Sequence, residues 1–85
     1  MKQLSAAANT VVPGVRALED LGFEVTFPLI AGEQHCRAKN LDHDYLGPDP
    51  IYVLGLVKLI EMRGWDGWRA SDAEVEAVLA RMAPR

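Results

Sequence analysis

Apolar residues crowd one stretch of this chain, and the elements on either side of it read most simply as its cover. Between Asp49 and Gly64, Ile51, Tyr52, Val53, Leu54, Leu56, Val57, Leu59, Ile60 and Met62 spread around most of a helical circumference, and only Lys58, Glu61 and Arg63 are charged. A surface helix carries a single apolar stripe, whereas a helix apolar on most sides needs neighbours on most sides. Its ends are marked too. Asp49 is suited to accept a hydrogen bond from a first-turn N–H, Pro50 fits the first helical position because its missing donor would have no partner there, and Gly64 closes the helix with a positive φ.

The flanking patterns predict the remaining elements. Ala6 to Leu21 favours helix, with Thr10 as a cap and Pro13 marking where a clean helix begins. Val15, Leu18 and Leu21 recur at helical spacing, Gly22 offers the closing residue, and Phe23 is placed to touch Leu18 in a Schellman ending. From Phe23 to Ile30 the period changes to two, with Phe23, Val25, Phe27 and Leu29 on one face and Pro28 pointing to an edge or a bulge. A type II′ turn at Gly32-Glu33 then pairs Leu29 with Cys36 and Phe27 with Ala38, leaving Thr26, Pro28, Arg37 and Lys39 on the outer face. Leu41 to Pro48 reads as a loop and Trp65 to Ala70 as a second connection. Ser71 and Glu74 form a capping box, followed by Val75, Val78, Leu79 and Met82 at i, i+3, i+4 and i+7, with Arg81 near the end.

The expectation is a small α+β domain spanning 1–85, in the order helix, β-hairpin, helix, helix, with a two-stranded antiparallel sheet packed on the helices. Residues 1–9 read as a loose tail or an extra turn, and 83–85 as a tail. A lone hairpin needs a packed partner. The hairpin and the first and last helices are expected to cover the central helix, with a second copy of the chain covering what they leave.

Composition narrows the function without naming it. At 85 residues, 49% hydrophobic and 25% charged, the chain is of ordinary globular make-up, and its formal charge of −3 gives no general attraction to nucleic acid or anionic lipid. Its N-terminus lacks the continuous apolar core of a secretory signal, and no segment is long enough to span a bilayer. With Cys36 the single cysteine, no internal disulfide forms. A cytoplasmic location without membrane attachment is expected.

Four constellations carry candidate chemistry. Glu33, His35, Cys36, Asp42, His43 and Asp44 are metal-ligand types, but they lack the paired spacing of zinc sites. In the calcium-loop pattern from Asp42 to Val53, Leu46 and Val53 stand where oxygen ligands are required. No metal and no cofactor is expected, and the loop reads as solvated. His35 or His43 is a candidate general base, with Asp42 or Asp44 able to orient His43, yet no nucleophile or phosphate loop accompanies them, so the chain reads as non-catalytic. Cys36 on the inner face reads as a small core residue.

His35, Arg37 and Lys39 on the outer strand face form the nucleic-acid alternative. Without interleaved aromatics for base stacking they fit a solubilising strand face better. The helix ending in Leu21-Gly22-Phe23 and entering a hairpin is similar, over about the first half of the chain, to the opening of double-stranded-RNA-binding-like folds. Some of these carry a histidine on the hairpin. That resemblance implies a nucleic-acid-directed module or small nuclease, and the third strand it requires is missing from the pattern. Finally, Trp65 and Trp68 flank Asp66-Gly67, where two rings either close the end of a small core or anchor a partner. Together with Tyr52 and Leu56 they are the expected protein-interaction residues, and the expected partner is another protein or a second copy in a homodimer.

Overall fold

In the computed structural model, which describes residues 2–5 and 9–83, three helices accompany antiparallel strands in an α+β arrangement. Of the expected tails, Lys2 to Ser5, Asn9 and Ala83 belong to no helix or strand, and the rest lie outside the described residues.

Helix α1 runs from Val11–Asp20 and closes as its sequence predicts. Gly22 adopts φ 93°, its N–H donates to the Glu19 carbonyl, and the Phe23 N–H donates to the Leu18 carbonyl, which is the Schellman pair of bonds. Its start differs from expectation. Thr10 precedes the helix but makes no side-chain cap bond. Its ψ of −5° departs from the extended backbone that aims a capping hydroxyl inward, and Pro13 at the third helical position has no N–H to offer one.

The hairpin is longer than one sheet, and its register is shifted by two from the expected pairing. Strands β1 (Glu24–Thr26) and β4 (Cys36–Lys39) pair Val25 with Ala38, whereas β2 (Leu29–Ile30) and β3 (Glu33–Gln34) form a separate two-stranded tip. Pro28 interrupts the ladder between them, and its carbonyl still accepts from the His35 N–H at 2.9 Å. The turn is Ala31-Gly32, with φ 52° and 79°, so it is of type I′ and not a glycine-first II′ turn. Ala31 is strained there, because a Cβ disfavours the left-handed region. Ala31→Asn should relieve this by about 0.5–1 kcal/mol, and amide exchange at Glu33 should slow about two- to fivefold.

Asp44–Gly47 is a strand, β5, and not part of a loop. It pairs antiparallel with β4, Ala38 opposite Tyr45, giving a three-stranded sheet in the order β1-β4-β5. The two-residue turn at Leu41-Asp42 is held by Asn40, whose side-chain oxygen accepts from the Asp42 and His43 N–H groups at 2.9 and 2.7 Å. Helix α2 (Pro50–Arg63) follows, with the Asp49 carboxylate accepting from the Tyr52 N–H at 2.8 Å and Gly64 at φ 77°.

The core is small. Leu18, Phe23, Cys36, Ala38, Tyr45 and Val53 form it, where α1 and α2 pack against each other and against one face of the sheet. Phe27 and Leu29, expected on the inner face, are exposed because the hairpin tip extends past the helices, and Leu21 also lies exposed beyond the last turn of α1. Helix α3 (Asp72–Met82) has its full capping box, but every one of its residues is exposed. The expectation that it covers α2 is therefore not met. The Arg63 guanidinium binds the Glu74 carboxylate at 3.2 and 3.3 Å and its Nε donates to the Gly67 carbonyl at 3.0 Å, which holds the start of α3 at the C-terminal end of α2.

Candidate interaction surface

The expected interaction residues divide into two places. Leu56, Trp65 and Trp68 meet in an open cleft of about 290 Å³ beside β5, together with Leu46, Leu59 and Ile60. β5 is an outer strand of its sheet, so the cleft runs along a free edge. Tyr52 is apart, exposed at the other end of α2 and in contact range of Gly47, although its spacing from Leu56 puts the two on one helical face.

An aromatic series connects this cleft to the core. Phe23 meets Tyr45 edge-on at 5.7 Å, and Tyr45 stacks with Trp65 at 5.9 Å and 16°. The His43 ring lies 5.5 Å from Trp65. Trp65 thus closes one end of the core and still presents half of its surface, 51%, to solvent. Trp68 is 38% exposed, and the Arg69 guanidinium lies 4.9 Å above its ring. Tyr45, within the segment expected to be a loop, is instead a core residue, and burial raises the pKa of its phenol.

A second apolar surface is carried by α3. Val75, Val78, Leu79 and Met82 are all exposed, and the first three line a shallow depression together with Arg63, Ala70 and Glu74. The Glu74 carboxyl is held below the ordinary range, first by the Ser71 backbone N–H and then by Arg63. A carboxyl depressed in the folded state contributes its stabilisation above its unfolded pKa and loses it as pH falls through the folded value. Protection of the Glu74 and Val75 amides should accordingly decline in acid below the ordinary glutamate range, and Glu74→Gln should remove that pH dependence.

On the basic strand face Arg37 is engaged. Arg37 donates from Nε to Asp44 at 2.8 Å and from its terminal nitrogen to the other carboxylate oxygen, a two-pronged pair that lowers the Asp44 pKa. Lys39 stands opposite Glu24 on one side and Asp44 on the other in the strand register, with no salt bridge to either. The groove on this face therefore mixes Arg37 and Lys39 with Glu24. His35 sits at the break between β3 and β4, where its Nδ1–H donates to the Glu33 carbonyl at 3.0 Å. Asp44, engaged by Arg37, does not orient His43. Cys36 is fully buried, and desolvation raises its thiol pKa, the opposite of an activated nucleophile. Among the described residues, no three His, Cys, Asp or Glu side chains gather where a metal ion could be held, and no helix is long and apolar enough to cross a membrane.

Leu46, Leu59 and the face of α3 complete the apolar surfaces and were not among the expected site residues. The spacing of α3 marks its apolar face, and Leu59 follows Tyr52 and Leu56 by helical periodicity. Leu46 had no such signal, because its strand was hidden among turn residues. No protein-family profile, curated protein or solved structure matches the chain.

Proposed function

We propose that this chain is a small non-catalytic protein-interaction module whose partner is a second copy of itself. The observation that carries the reading is uncovered apolar surface at the C-terminal side of the fold. The cleft of Leu46, Leu56, Leu59, Trp65 and Trp68 and the face of α3 are both open to solvent. The accessible area is 7057 Å², about 2,000 Å² more than the roughly 5,000 Å² expected of a compact monomer of 9.4 kDa. Its radius of gyration is 15.4 Å, against about 12 Å for a compact chain of this length. Exposed residues Lys2 to Ser5 account for some of the surplus; another part falls on residues 61–83, where every side chain is exposed. Exposed apolar patches are a common mark of an interaction site.

The nucleic-acid reading has less behind it. The strand order does supply the third strand that double-stranded-RNA-binding-like folds require, but Arg37 is engaged by Asp44, and Glu24 faces Lys39. Phosphate binding requires unpaired cations and weakens steeply with salt. Light scattering on a size-exclusion column, with and without a short RNA duplex, separates the two readings. A dimer indifferent to RNA is the expected result. RNA binding that Arg37→Glu with Lys39→Glu abolishes would replace this proposal.

A further inference from the structure

We propose that α3 is a hinged arm, which opens away from a body made of α1, the sheet and α2 while that body stays folded, and which is closed by a clasp centred on Arg63. The device does not depend on self-association. Helices α1 and α2 pack on each other and on the sheet, whereas α3 packs comparably on none of them. Every residue from 61–83 is exposed, so opening the arm takes no side chain out of the core. The depression beside α3 is lined by its own Val75, Val78 and Leu79 with Arg63, Ala70 and Glu74, and no apolar side chain of the body reaches it.

What closes the arm is polar and comes from one residue. The Arg63 guanidinium donates to the Glu74 carboxylate at 3.2 and 3.3 Å, and its Nε donates to the Gly67 carbonyl at 3.0 Å. The two side chains of the ion pair are 39% and 49% exposed, and a pair this open to water shifts an equilibrium only a few-fold. The hinge lies just beyond Trp65, which is stacked on Tyr45 and so belongs to the body. Gly67 is the tightest point of the closed link. A Cβ there would stand 2.6 Å from the Arg63 carbonyl oxygen, a backbone atom that cannot turn aside. The capping box of Ser71 and Glu74 is internal to α3, but a helix of 11 residues without packing is marginal, so the open arm frays and exposes its amides to exchange.

The test is hydrogen exchange of the full chain, followed by mass spectrometry at high dilution so that association does not enter. Amides of the last turns of α3 should exchange at least tenfold faster than those of Ala38 and Val53 in the core. Dilute denaturant should speed the core amides and leave α3 nearly unchanged, the mark of a local opening. Arg63→Gln keeps the capping box and should speed exchange in α3 about two- to fivefold, with the core unaffected. Gly67→Ala alters only the exposed link and should speed it fivefold or more. Exchange of α3 at the core rate with the core's denaturant dependence would overturn the hinge, because α3 would then open only with the whole fold. Exchange in α3 that neither variant changes would overturn the clasp.

Discussion

Leu18→Ala lowers the stability of the fold by about 2–5 kcal/mol, because the leucine is fully buried and the cavity left behind cannot collapse against a sheet and a second helix. For a chain of this length the whole stability is of order 4–13 kcal/mol, so the melting temperature should fall by roughly 10–20 °C or the variant should fail to fold at ambient temperature. Urea unfolding followed by far-UV circular dichroism measures it. Leu21→Ala is the informative control. Both leucines sit at helical spacing in the sequence, but Leu21 is exposed beyond the last turn, and its truncation should cost less than about 1 kcal/mol. Equal losses at the two positions would mean that α1 packs by a different face.

Gly47→Ala should cost about 1–3 kcal/mol through overpacking, although only one methyl group is added. A Cβ at this buried position would stand 2.8 Å from Tyr52 Cδ1 and 3.1 Å from Val53 Cγ2. The exposed tyrosine can turn aside. Val53 is fully buried and β-branched, so relief on that side requires α2 to shift away from β5. Gly55→Ala is expected to do the opposite. Gly55 lies inside α2 with nothing near its missing Cβ, and alanine there should stabilise by about 0.5–1 kcal/mol. The sign difference between two glycines eight positions apart is a direct reading of which surface of the chain is closed and which is open.

What the sequence made legible is local chemistry. The caps at Asp49 and Ser71, the Schellman closure through Gly22 and Phe23, and the stop at Gly64 are set by residues within a few positions of one another, and they occur as predicted. Thr10 failed as a cap for an equally local reason, the proline three positions on. The hairpin register was mistaken by two because a two-residue slip keeps every side chain on its own face. The alternation of Cys36 and Ala38 against Arg37 and Lys39 is satisfied by either pairing. What distinguished them was Ala31, a residue that ordinarily avoids the conformation it holds.

β5 was missed because its four residues offer only Tyr45 as a large inward side chain, and Asp42, Asp44, Gly47 and Pro48 around it are turn formers. The cleft was half visible. Leu56, Trp65 and Trp68 were identifiable as residues in excess of what the fold could cover, but Leu46 depends on the unrecognised strand. The placement of α3 was not legible, since periodicity establishes that a helix has an apolar face and not what lies against it. The Arg63–Glu74 pair that positions it joins residues eleven apart across an irregular link.

The apolar surface left open on one copy is, in the proposal above, closed by another. The most direct measurement is the molar mass of the wild-type chain in solution, by light scattering across a concentration series at low salt and at about 1 M salt, where surface charge is screened within about 3 Å. Twice the chain mass is expected at both salts, because burial of Leu, Val and Trp surface is not weakened by screening. The chain mass alone at every concentration would contradict it.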